Sequence, residues 1–141
     1  MNNCYKKSTL DAYNISEQTL TINENLDFTN SVKTGVSIEY INGSSAITIN
    51  RPGLYLVNFN AIGGGKGNVI VKLQENGEDV KGAVAGASST ATTDIVNLSF
   101  SALIDVAPSC NCIKNDSILT VLNAGVDANY INANITVTKL C

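Results

Sequence analysis

The chain has 141 residues, of which 44% are hydrophobic and only 15% charged, with a net charge of −3. A chain of this length is one ordinary domain that can bury roughly two thirds of the surface its unfolded form exposes, so it needs neither metal nor disulfides to fold. Asn, Ser and Thr take the place of charges, and the 9 scattered Lys and Arg form no basic face to neutralise a row of phosphates, which excludes nucleic-acid binding.

The opening Met1-Asn2-Asn3-Cys4-Tyr5-Lys6-Lys7 runs into polar residues, so it does not read as a signal peptide. No later stretch approaches the ~18 apolar residues of a membrane-spanning helix, and no membrane insertion is expected. Helical periodicity is absent, and period-two alternation recurs along the chain.

Ile47 and Ile49 alternate with Ala46, Thr48 and Asn50; Tyr55, Val57, Phe59 and Ala61 alternate with Asn58 and Asn60. Val69, Val71 and Leu73 follow, then Val96, Leu98, Phe100, Ala102, Ile104 and Val106, and finally Ile131, Ala133, Ile135 and Val137. Each run predicts a strand with one buried face. The expected core cluster is Tyr55, Val57, Phe59, Leu98, Phe100, Ile135 and Val137.

Turn signals separate the runs: Asn42-Gly43, Pro52-Gly53, Gly63 to Gly67, Asn76-Gly77, Asn115-Asp116 and Ala124-Gly125. Asn-Gly accepts positive φ at both central positions, which predicts a tight hairpin from Leu73 to Val80. The glycine run at 63–67 reads as a hairpin loop, since Lys66 precedes Gly67 and no Ser or Thr follows it as in a phosphate loop. The small polar residues from Ala87 to Thr93 read as a long loop. Roughly eight to ten short strands with polar turns predict an all-β sandwich or barrel.

The same residues argue against catalysis. There is no histidine, which rules out histidine-based nucleophile activation and histidine metal ligands. Glu75, Glu78 and Asp79 crowd a hairpin tip, where solvated turn charges are expected. Asp94, Asp105, Asp116 and Asp127 recur every eleven residues, a spacing that a strand plus a turn produces without any metal site. The Asn-x-Ser/Thr sequons at Asn14, Asn42, Asn97, Asn115 and Asn134 are given no role. No catalytic residue, cofactor or metal is expected. Cys4, Cys110, Cys112 and Cys141 do not form a disulfide framework, and the C-x-C spacing lacks the partners of a zinc knuckle. Two readings of them stay open, reduced incidental thiols and disulfides formed after assembly.

The stretch from Leu26-Asp27-Phe28 to Asn60 resembles the tumour necrosis factor and complement C1q jelly-roll superfamily. A short strand and Asn30 lead to a tight Asn-Gly turn, then to Pro52-Gly53-Leu54-Tyr55-Leu56-Val57-Asn58-Phe59, and the Pro-Gly-x-Tyr lead into a central strand is the most specific mark. Leu73-x-x-Asn76-Gly77 is similar to the next hairpin, and Asn115-Asp116-Ser117-Ile118 stands where the family has Gly-Asp-x-Val. The likeness is to the bacterial branch, the C-terminal heads of collagen-like spore-surface glycoproteins of the BclA type, and to phage fibre heads. The loop Ala107 to Cys112 is longer than the family's turn, the ending Lys139-Leu140-Cys141 departs from the animal members, and the absence of a Gly-x-y repeat makes this an excised head or a headless relative.

The resemblance implies an all-β jelly-roll sandwich of two antiparallel sheets over residues 10–141, after an extension over 1–9, assembled as a homotrimer. The family-motif residues would be Pro52, Gly53, Tyr55, Phe59, Asn76, Gly77, Asn115 and Asp116. It also implies that the first and last strands pair, bringing Cys4 near Cys141 for a disulfide within or between protomers, with reduced thiols as the alternative. Leu54, Leu56, Ile62 and Ile70 alternate opposite to the core set and would be covered by association. Two functions follow from the resemblance: a non-catalytic trimerisation and surface-display domain on a bacterial spore, or the receptor- or glycan-binding head of a phage fibre.

Overall fold

The computed structural model describes residues 7–108 and 116–141. Among the described residues eleven strands run in chain order: β1 (Thr9–Tyr13), β2 (Gln18–Leu20), β3 (Asn30–Thr34), β4 (Ile38–Glu39), β5 (Ile47–Ile49), β6 (Gly53–Gly64), β7 (Gly67–Glu75), β8 (Glu78–Ser89), β9 (Val96–Val106), β10 (Ser117–Asn123) and β11 (Ala128–Lys139). One antiparallel sheet has the order β3-β1-β11-β6-β9, with β2 also paired to β11; the other has the order β4-β5-β10-β7-β8. The two are the layers of a jelly-roll sandwich, and the first and last long strands lie side by side, with Thr9 opposite Thr138.

Alternation in the chain becomes burial in the sandwich. Tyr55, Val57 and Phe59 on β6, Val69, Val71 and Leu73 on β7, Leu98 and Phe100 on β9, and Ile135 and Val137 on β11 all point into one core. Burying a side chain of this size stabilises the fold by about 1.5–3 kcal/mol, so the inner faces dominate the energetics. Phe59 and Phe100 are direct cross-strand partners, and their rings stack with centroids 5.0 Å apart.

Four expectations about local structure are corrected. First, the Gly63 to Gly67 run is not a hairpin loop: β6 belongs to the first sheet and β7 to the second, so the run carries the chain across the sandwich. The crossing is tight enough that a Cβ on Gly65 would stand 2.6 Å from the Asp127 carbonyl oxygen. Second, the expected loop from Ala87 begins only after Ser89, because β8 continues to pair with β7 as far as Gly67↔Ser89. Third, Leu26 and Phe28 are fully buried but form no strand. Side-chain amides occupy the backbone of Asp27 between them: Asn14 Nδ2 and Gln18 Nε2 donate to its carbonyl, and its N–H donates to Gln18 Oε1 at 3.0 Å.

The fourth correction is at Ile131, which the alternation placed in the core. The pairing of β11 with β6 shifts register between Tyr130 and Asn132, a β-bulge that inserts one extra residue. Tyr130 and Ala133 are therefore both buried, while Ile131 is 39% exposed.

Candidate interaction surface

The motif residues organise the end of the sandwich where Ser8 meets Lys139 and Leu54 meets Cys141. Gly53 has φ +150°, and a Cβ there would stand 2.5 Å from the Cys141 carbonyl oxygen, so glycine is needed both for the backbone angle and for the close approach. That approach lets Leu54 N–H donate to Cys141 O at 3.0 Å, while Lys139 N–H donates to Ser8 O at 2.9 Å. Tyr55 is buried and donates its hydroxyl to Arg51 O at 2.8 Å, holding the turn that contains Pro52. Phe59 belongs to the aromatic stack in the core.

Asn76 and Gly77 have φ 53° and 84°, as a two-residue hairpin with positive φ at both positions requires. Asn76 Oδ1 also accepts the Ile118 N–H at 2.9 Å, fixing the tip to β10. The carboxylates at this tip are engaged. Asp79 pairs with Lys72 at 2.8 Å and accepts from Gln74 at 2.9 Å, and these contacts hold its carboxyl below the usual range. Glu75 accepts from Ser117 Oγ at 2.7 Å. Asp116 lies just before β10; Asn115, Cys4, Cys110 and Cys112 lie outside the described residues. Cys141 is exposed. The Asp94 and Asp127 of the eleven-residue rhythm are at one end of the sandwich, Asp105 and Asp116 at the other, which is the strand-and-turn rhythm itself. Among the described residues no group of three acidic or cysteine side chains converges to hold a metal ion.

At the opposite end a buried polar network ties the loops together. Asn123 is fully buried; its amide donates to Thr21 O at 3.0 Å and Val126 O at 3.1 Å, and its Oδ1 accepts the Tyr130 hydroxyl at 2.6 Å. Burial pushes the Tyr130 hydroxyl far above the ordinary tyrosine range. Sequence reasoning missed this pair. The only local trace was that Ala128 and Tyr130 alternate out of phase with Ala133, Ile135 and Val137.

The outer face of the first sheet is distinct in chemistry. Along β6 and its neighbours, Leu56 stands between Leu103 and Thr138, Asn58 between Ser101 and Thr136, and Asn60 between Ser99 and Asn134. The outward positions of its strands include Asp11 and Asp105 but no lysine or arginine. Asp11 accepts a hydrogen bond from Asn134 Nδ2. Leu103 is 58% exposed and Ile62 39%, while Leu54 and Leu56 are half-buried. Ile70, expected to join them, lies on the other sheet, where the chain's own segment 124–126 pairs along it. The outer face of that second sheet, by contrast, carries Glu39, Lys72 and Asp79.

Next to this cation-free face lies the side of the sandwich formed by β8 and β9. There β8 and β9 are the free edges of the two sheets and pack on each other. Residues 82–89 and 96–104 along it carry no charge. Long edges without charges are ready for pairing with another chain unless covered.

No protein-family model matches the sequence, and no curated protein matches it. Solved structures do. The globular domain of zebrafish complement 1qA superposes with a TM-score of 0.69 at 12% identity, covering 96% of this chain and 98% of the other. The Eiger TNF of S. frugiperda gives 0.70 at 14% identity, covering 95% and 92%. The PRD1 vertex protein gives 0.54 at 16% identity, covering 97% and 99%. Likeness at these identities establishes fold: the chain is an all-β sandwich of two antiparallel sheets with the C1q and TNF jelly-roll architecture.

Proposed function

We propose that the chain is a non-catalytic homotrimeric head that displays its loops on the outer layer of a bacterial spore. The observation that carries this reading is the outer face of the first sheet, without a lysine or arginine and dotted with exposed Leu103 and Ile62. A monomer gains nothing from so large a surface with no cation, two carboxylates and apolar side chains on it, whereas an interface core is depleted in charge. Beside it, the uncharged β8–β9 edge supplies a second, different surface. A face that meets an edge is a heterologous contact, which closes into a ring when the rotation permits. Three-fold closure is taken from the resemblance to C1q and TNF heads.

Ser8 and Lys139 meet at one end of the sandwich, and we assign display to the loops at the opposite end, around Ile22, Lys66 and Asp127. Such loops carry recognition on a rigid scaffold, and a host-surface or glycan ligand is the class expected there. No helix among the described residues is long and apolar enough to cross a membrane. The fold it shares with the PRD1 vertex protein supports a second reading, the receptor- or glycan-binding head of a phage fibre.

Light scattering on the purified chain tests the assembly. A mass about three times the 14.8 kDa protomer is expected, and a monomer at micromolar concentration overturns the proposal. Immunogold labelling of intact spores and of virions from the producing cell separates the two settings.

A further inference from the structure

We infer that three isoleucines, Ile62, Ile95 and Ile131, anchor a second copy of this chain on the first sheet, and that the β11 bulge completes that anchor. The inference rests on the trimer reading above and adds the residues that hold it together. Without the bulge, strict alternation from Ala133 would put Ile131 in the core and Tyr130 outside. With it, Tyr130 stays inside to bond Asn123, and Ile131 emerges on the outer face beside Ile62, since Ile62 is opposite Asn132 and Gly63 opposite Tyr130. Bulges re-aim side chains in this way.

Ile95 completes the patch from the other side. It precedes β9, whose first residue Val96 is opposite Gly63, and it is 64% exposed. Between Ile95 and Ile131 lies a notch of about 250 Å³, floored by Gly64 and walled by residues 92–95 and Asn129. Gly64 leaves the floor bare, because a Cβ there would stand 2.5 Å from the Asp94 carbonyl oxygen. The wall is tied together by its own hydrogen bonds. The Asp94 carboxylate accepts from Ser89 Oγ, from Thr90 N–H and Oγ1 and from Ala91 N–H, all at 3.2 Å. The carboxylate stays ionised but is bonded back into its own loop, and the exposed lining of the notch is mostly apolar.

The chemistry of the surroundings selects the occupant. The patch is continuous with a face that has no cation and whose two carboxylates lie away from it, Asp11 bonded to Asn134 and Asp105 opposite Leu54 at the far end of β6, so a strongly charged partner finds no counter-charge beside the patch. The β8–β9 side of a second copy matches it in kind, being uncharged over residues 82–89 and 96–104, with Val84 53% exposed. The notch lies at the end of this low-charge face, where β6 finishes and β9 and β11 begin, and hot-spot side chains at interfaces fill pockets of this kind.

Sedimentation analysis of the full chain over the micromolar range tests this with the double variant Ile95→Ser/Ile131→Ser. The dissociation constant between protomers is expected to rise roughly 100-fold or more, as for loss of hot-spot side chains. Ile41→Ser, which removes an isoleucine that is 79% exposed elsewhere, should leave it unchanged. Because Ile95 lies outside the strands, Ile95→Asp alone gives a second variant whose fold is checked by near-ultraviolet circular dichroism. A wild-type trimer whose variants dissociate no more readily overturns the anchor and leaves the trimer standing. A wild-type monomer overturns both.

Discussion

Replacing Tyr130 with phenylalanine removes one oxygen from the interior and leaves the ring in place. Tyr130 is 1% exposed and Asn123 fully buried, so no water can replace the hydroxyl that donates to Asn123 Oδ1 at 2.6 Å. A buried acceptor left without a donor costs about 1–3 kcal/mol. Asn123→Leu is more severe: the carbonyls of Thr21 and Val126 lose their donor and the Tyr130 hydroxyl loses its acceptor, for a total of roughly 3–5 kcal/mol. The double variant leaves no stranded hydroxyl, so its cost should fall short of the sum by about 0.5–3 kcal/mol. Thermal unfolding at one fixed protein concentration reads these differences, since each kcal/mol lowers the midpoint by roughly 2–4 °C in a domain near this size. The fixed concentration matters because association shifts the midpoint as well. A Tyr130→Phe midpoint equal to wild type, or strict additivity in the double variant, would refute the network as a structural clamp.

Further outcomes follow from the core, the titrating groups and the chain ends. Phe100→Ala should cost about 3–5 kcal/mol through lost burial and the cavity opened beside Phe59; an unchanged melting curve would mean that β9 does not hold its register. Alkaline pH should destabilise the fold: burial raises the hydroxyls of Tyr130, Tyr40 and Tyr55 above their ordinary value. Their contribution is therefore complete below the unfolded tyrosine value of about 10 and is lost as pH rises beyond it, because the unfolded chain ionises first. Melting profiles taken through that range should fall less steeply for Tyr130→Phe than for wild type. Under oxidising conditions Cys4 and Cys141 are expected to form a disulfide, within or between protomers, because β1 and β11 pair antiparallel at the chain ends. If within one protomer, it would close a loop of nearly the whole chain and stabilise by roughly 4–5 kcal/mol less any strain. Non-reducing electrophoresis with peptide mapping checks the pairing, and a free Cys141 after oxidation contradicts it.

What could be read from residue order alone was whatever repeats within a strand or a turn. Tyr55, Val57 and Phe59 announce their buried face because a strand places alternate side chains on opposite sides, and Asn76-Gly77 announces its hairpin because few residue pairs accept positive φ twice. Pro52-Gly53-Leu54-Tyr55 pointed to the family fold, although the reason for Gly53, the Cys141 carbonyl pressed against it, comes from the far end of the chain. Tertiary structure decided the rest. That Gly63 to Gly67 crosses between sheets instead of closing a hairpin depends on which neighbours β6 and β7 acquire: β6 lies between β9 and β11, and β7 between β8 and the distant β10. That Ile131 turns outward depends on whether β11 keeps register with β6 across a bulge, and a one-residue shift exchanges the two faces of a strand. The cation-free outer face belongs to no single segment: it exists because pairing sets Leu56, Leu103 and Thr138 side by side, and only long-range pairing makes residues so distant in sequence into one surface.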